Sequence, residues 1–161
     1  MILFSGSSNQ ALAEKVAKEL NTRLGAIERL RFSDGEIGIK VLDSFLGKHV
    51  FVIQTCCASV NDNLMELLIM VDAFRRGGAK SITAIVPFLA YSRKEKKDFR
   101  QDPISGKLVA NLLQTAGIDR LIALDLHADA VEGFFDVPVV NLSPVEIFAR
   151  ELRVDSEQTV V

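Results

Sequence analysis

The chain has 161 residues, the size of one domain with one sizeable core. With 48% apolar and 25% charged residues, a net charge of −2 and a pI near 5.7, it has the composition of an ordinary soluble protein, and no bulk positive charge favours nucleic acid or an anionic membrane. No apolar run approaches the ~18 residues of a membrane span and the N-terminus lacks the layout of a signal peptide. Cys56 and Cys57 are adjacent, which disfavours a disulfide between them, and neither they nor His49 and His127 have zinc-site spacing, so a reducing, cytoplasmic setting is expected.

Ile2-Leu3-Phe4 reads as a first strand running into the small-residue turn Ser5-Gly6-Ser7-Ser8. From Asn9 onward Leu12, Val16, Leu20 and Leu24 recur every four residues, which predicts a helix stopped by Gly25, with Ser7, Ser8 and Asn9 as alternative caps. A Gly-Ser turn before a helix can also cradle phosphate on backbone N–H groups. Neither a Walker-type nor a dinucleotide-type glycine pattern is present, so capping is the favoured reading. Glu28 to Val41 alternates apolar and polar residues around Ser33-Asp34-Gly35-Glu36, a β-hairpin with Asp-Gly in its turn.

Val50 to Ile53 is a short buried-type strand ending at Gln54-Thr55. Asn61-Asp62-Asn63 offers caps for the apolar helix that begins at Leu64 and closes with Arg75-Arg76 and Gly77-Gly78. Ser81 to Leu89 is a further strand, and the alternation of strand and helix predicts an α/β sheet with right-handed crossovers. The most polar stretch follows, Ser92 to Asp102, where five basic residues are set against Glu95, Asp98 and Asp102. A run of this kind is a solvated face in one reading and, given its place after a strand's C-terminal end, a polyphosphate site in the other.

Asp102-Pro103 supplies an N-cap and first-turn proline for a helix ended by Gly117. Leu121 to Leu124 is a buried-type strand that ends in Asp125-Leu126-His127. If strand geometry persists, Asp125 and His127 point to the same side, where a carboxylate and an imidazole suit metal coordination, phosphate chemistry or proton transfer. A strand-end pair that merely satisfies loop carbonyls stands beside that reading. Val137 to Val140 reads as an edge strand because of Pro138. Ser143-Pro144 starts a last helix, Val145 to Val154, and another strand begins at Thr159.

Taken together, Arg31-Phe32-Ser33-Asp34-Gly35-Glu36, Asn61-Asp62-Asn63-Leu64-Met65-Glu66-Leu67, Pro87-Phe88 through Tyr91-Ser92-Arg93, Pro103-Ile104-Ser105, and Asp125-Leu126-His127 with Gly133-Phe134-Phe135-Asp136 resemble, in this order and spacing, the N-terminal domain of ribose-phosphate diphosphokinases. The resemblance covers nearly the whole chain. It implies the phosphoribosyltransferase-like α/β fold, a mostly parallel sheet with helices on both faces plus a β-hairpin. It also implies transfer of the diphosphoryl group of Mg-ATP to the C1 hydroxyl of ribose 5-phosphate, which gives phosphoribosyl diphosphate and AMP. Such chemistry is mainly positioning and charge neutralisation.

By the same resemblance His127 is catalytic and contacts ATP and Mg2+. Asp125 and Asp136 belong to the metal surroundings, Arg93, Lys94 and Lys96 bind ATP, and Phe32, Asp34, Gly35 and Glu36 form an adenine-recognising tip presented across a subunit interface in a homo-oligomer. Lys94 stands where the family has glutamine, Lys96 where it has arginine, Glu132 where it has glutamine, and Val140 where many members have a metal-associated aspartate. At Lys94 and Lys96 a point charge replaces a planar contact. The family's second domain, with its ribose 5-phosphate loop, is absent from the sequence. Residues 1–155 are accordingly expected to be one ATP-binding domain and residues 156–161 the start of a second, in a truncated chain or a half-length gene product that acts only with that domain. The alternative is a non-catalytic regulatory subunit associated with such an enzyme, towards which Lys94 and Val140 lean.

Overall fold

The computed structural model describes residues 1–151. The expected strand at Thr159, the residues 156–161 assigned to a second domain and the expected helix end at residues 152–154 lie outside that range. Five strands, β1 (Ile2–Ser5), β4 (His49–Ile53), β5 (Ser81–Val86), β6 (Arg120–Leu124) and β7 (Val139–Leu142), form one sheet in that order with every neighbouring pair parallel. β2 (Ile27–Arg31) and β3 (Ile37–Val41) make a separate antiparallel hairpin in the stretch of chain that leads from β1 to β4. This is the expected α/β architecture.

Period-two alternation sorts the strands onto two cores. Phe4, Val50, Val52, Ile82, Ala84, Val86, Leu121 and Ala123 face α2 (Val60–Arg76) and α3 (Ser105–Ala116), whereas Leu3, Phe51, Ile53 and Ile85 face α1 (Gln10–Glu19). A 3₁₀ segment, Asp129–Phe134, and α4 (Val145–Glu151) complete the described chain. At the centre of the larger core Phe4 stacks on Phe74 with ring centroids 4.8 Å apart, and Phe45 meets both rings edge-on.

Several element ends differ from the sequence expectation, each for a local reason. α1 is capped by Asn9, whose side chain accepts from the Leu12 amide, but it stops at Glu19, and Leu24 bridges to Leu3 instead of extending the helix. Its fully packed residues are Ala13 and Ala17, small enough to bring the helix close to the sheet, while Leu20 is exposed. α2 starts at Val60, so Asn63 lies within it and its amide donates to the carbonyls of Cys57 and Ala58, fastening the preceding turn. β5 ends at Val86, before Pro87, which has no N–H to give a ladder. α3 begins at Ser105, and Asp102 is used by the preceding loop, where it accepts from Lys94 Nζ and the Phe99 amide.

Gly25 occupies a place where a β-carbon would stand 2.2 Å from Phe4 Cε1, and Phe4 is fully buried between its aromatic neighbours. Gly25→Ala is therefore expected to destabilise the domain by about 1–3 kcal/mol through overpacking, measured by urea unfolding, and Phe4→Leu in the same chain should recover part of the loss.

Candidate active site at the carboxyl edge of the sheet

Parallel pairing brings the C-terminal ends of β4, β5, β6 and β7 to one edge, and the backbone is strained along it. Ala58 (φ 42°) and Ser59 (φ 40°) follow β4, Tyr91 (φ 60°) follows β5 and Asp125 (φ 52°) follows β6. Left-handed conformations of non-glycine residues cost roughly 1–2 kcal/mol each, and their clustering at one edge marks a functional region.

Two clefts open there. One, of about 480 Å³, lies between the ends of β5 and β6 and is lined by Phe88, Ser92, Arg93, Asp125 and His127 among others. The second, of about 520 Å³, lies between the ends of β4 and β5 and is lined by Cys57, Asn61, Tyr91, Ser92, Arg93 and Lys94 among others. Ser92 and Arg93 belong to both, so the turn after β5 is the wall they share.

Asp125 and His127 do share a cleft, though not because strand geometry persists. The left-handed turn at Asp125 ends the strand. The Asp125 amide donates to the Leu142 carbonyl, and the Leu126 amide to Asn141 Oδ1, at 3.0 and 3.1 Å. Leu126 is thereby buried with Asp125 and His127 exposed on either side. Asn141 has no role in the sequence reading, because its use depends on β7 lying beside the turn.

The other expected site residues fall elsewhere. Asp136 sits at the opposite edge of the sheet: β7 enters its ladder at Val139 beside Leu121, and the Asp136 amide donates to Gln114 near the C-terminal end of α3. It therefore does not join Asp125 and His127 around a metal. Lys96 is exposed on the loop and lines neither cleft. Lys94 Nζ donates to Asp98 and, at 3.1 Å, to Asp102. The hydrogen bonds to those two carboxylates raise the Lys94 pKa, that to Asp98 most, and the bond from Lys94 lowers the pKa of Asp102. The basic loop is thus partly neutralised from within.

The hairpin tip forms a second group. Phe32 and Glu36 close it through the Phe32 amide and the Glu36 carbonyl, Asp34 Oδ1 accepts from the Glu36 amide, and Gly35 (φ 95°) takes the left-handed position that its turn requires. Phe32, Asp34, Gly35 and Glu36 are all exposed and line neither cleft.

What holds the hairpin is a buried carboxylate. Glu66, on α2, is 4% exposed; it pairs with Arg29 Nε at 2.9 Å and accepts from the Ser7 amide and hydroxyl and from the Gln54 amide. Arg31 adds a surface pair with Asp62. The signal for Glu66 in the sequence is a lone acid inside the apolar run Leu64-Met65-Glu66-Leu67-Leu68, a position an acid occupies only when it is partnered. Glu66→Ala should cost on the order of 3 kcal/mol in urea unfolding because Arg29, Ser7 and Gln54 lose their partner, and the Arg29→Leu/Glu66→Leu pair should lose less than the two single changes summed.

Known proteins of one family share this fold. Residues 1–117 match the family model described as the N-terminal domain of ribose phosphate pyrophosphokinase. A ribose-phosphate pyrophosphokinase of Thermotoga maritima is 47% identical over 165 residues, covering 100% of this chain and 52% of that protein. One of Campylobacter jejuni is 54% identical over 140 residues, covering 87% and 45%. The crystal structure of phosphoribosylpyrophosphate synthetase from Mycobacterium smegmatis superposes with a TM-score of 0.92 at 44% identity, over 94% of this chain and 51% of that one. The chain spans about half the length of the curated relatives it matches. With well over half of its length aligned in each case, the chain belongs to the ribose-phosphate pyrophosphokinase family and corresponds to the N-terminal half of its members.

Proposed function

We propose that this chain is the nucleotide-binding half of a ribose-phosphate pyrophosphokinase, which transfers the diphosphoryl group of Mg-ATP to the C1 hydroxyl of ribose 5-phosphate. The observation that carries the proposal is the convergence of Arg93, Asp125 and His127 on one cleft at the carboxyl edge. In this reading residues 1–155 form the ATP-binding domain, residues 156–161 lead into the second, and the sugar phosphate is held by that second domain. The adjacent free cysteines Cys56 and Cys57 suit a reducing, cytoplasmic setting. Among the described residues no helix is long and apolar enough to cross a membrane.

The residues divide the work. Arg93, exposed at the shared wall of the two clefts, presents a planar guanidinium to phosphate oxygens. His127 lines the same cleft and can donate to, or accept from, an oxygen of the reacting phosphates. Asp125 and His127 together fit a magnesium ion that keeps most of its shell from water and phosphate: among the described residues no group of three His, Cys, Asp or Glu side chains forms a protein cage. Such an ion would neutralise charge on the β- and γ-phosphate oxygens. Lys94 reaches phosphate only by exchanging Asp98 and Asp102 for it, as these carboxylates hold its ammonium.

Adenine is assigned to the hairpin tip of a second copy. Phe32, Asp34 and Glu36 are exposed and stand apart from both clefts of their own chain, so a homo-oligomer can bring one chain's tip to another's phosphate site. The neutralised state of Lys94 also favours a second reading, a non-catalytic subunit that keeps the fold and the assembly surfaces.

Calorimetric titration separates these readings. Mg-ATP is expected to bind the assembled chain, with Arg93→Ala weakening it about ten- to hundredfold. Absence of heat in an assembled sample would overturn nucleotide binding, and equal affinity in a confirmed monomer would overturn the shared site.

A further inference from the structure

We propose that Tyr91 is a positioning residue for the nucleotide phosphates, acting through Asn61 and the Tyr91–Lys94 turn to hold Arg93 in the wall between the two clefts. The proposal rests on the assignment of Arg93 to those phosphates.

Three observations carry it. Tyr91 adopts φ 60°, a conformation that glycine or asparagine would take at lower cost, so the backbone itself does not call for a phenol there. Its hydroxyl donates to Asn61 Oδ1 at 2.5 Å, joining the end of β5 to the first turn of α2. Its carbonyl accepts from the Lys94 amide at 3.0 Å, and the Lys94 carbonyl accepts from the Gly106 amide at 3.1 Å, joining the same turn to the start of α3.

Gly106 is the residue that permits this closeness. A β-carbon there would stand 3.3 Å from the carbonyl oxygens of both Tyr91 and Lys94. The turn is therefore clamped at both ends, and Ser92 and Arg93 are the two residues between the clamps. Ser92 is buried, which leaves the Arg93 side chain as the one the clamp presents to ligand. Asn61 is itself one turn from the strained Ala58–Ser59 pair that Asn63 fastens. The phenol thus ties together two of the three strained turns at the carboxyl edge.

The hydrogen bond is one that a single atom removes. Tyr91→Phe is expected to keep the circular dichroism spectrum and the melting temperature within a few degrees while raising the Kd for Mg-ATP about two- to tenfold, the range for loss of one neutral hydrogen bond. Asn61→Ala breaks the same bond from the other side and should reproduce the loss. The readout that a merely structural role would not move is the coupling to Arg93: in an Arg93→Ala background Tyr91→Phe should change the Kd by less than about twofold. Losses that simply multiply between Tyr91→Phe and Arg93→Ala, or an unchanged Kd in Tyr91→Phe, would overturn the role of Tyr91 alone. Arg93→Ala without effect would overturn the assignment of the site and this proposal with it.

Discussion

The parallel ladder is the constraint from which the rest of the molecule follows. Five strands pointing one way place their carboxyl ends on one edge, and every connection that leaves this edge must turn within a few residues to start a helix or loop. Three of those turns pass through left-handed residues that are not glycine, at Ala58–Ser59, Tyr91 and Asp125. Such conformations persist only where the surroundings over-determine them. The surroundings are visible: Asn63 fastens the first turn, Asn61 and Gly106 the second, and Leu142 with Asn141 the third. The stability needed to hold them comes from a core several residues away, in which Phe4, Phe45 and Phe74 interlock and the alternation of β4 and β5 feeds both faces of the sheet.

Charge at that edge is arranged less simply than composition suggests. The stretch from Ser92 to Asp102 is rich in lysine and arginine, yet Lys94 is occupied by Asp98 and Asp102, and the bond from Lys94 holds the Asp102 carboxyl below its ordinary range. Of the basic side chains that line the two clefts, Lys94 is held by carboxylates and Arg93 is in no ion pair among the described residues, so in the proposed reading Arg93 meets the polyphosphate. Guanidinium suits that duty, since it stays charged in any surroundings and meets phosphate with two parallel donors.

Architecture was legible in the sequence because apolar periodicity is a property of single segments. β1, β4, β6 and the hairpin fall where the pattern places them, and the motif that ends in His127 does lie at the carboxyl edge. Element ends were legible only where the chain itself decides them, as at Asn9 and Gly117. Where a side chain had two possible employers the sequence could not choose: Asp102 serves the loop, Asn63 the turn before its helix, and Leu24 the sheet. The site was half legible for the same reason. Asp125 and His127 follow directly from a strand end, but Asp136 lies before β7, where its amide meets Gln114 of α3 at the far edge. Glu66, Asn61 and Asn141 matter through partners 30 or more residues away, or across a strand pair, which no local pattern records.

Helix α2 has a consequence beyond packing. On one side its Glu66 grips the hairpin through Arg29, and five residues earlier its Asn61 grips the turn that carries Arg93. Five residues of α-helix span about 7.5 Å, too short a length to bend appreciably. Hairpin and cleft wall of one chain are therefore fastened to the same short stretch of helix. In the proposed assembly, where each tip serves a neighbour, that stretch of helix would connect two sites that share no atom.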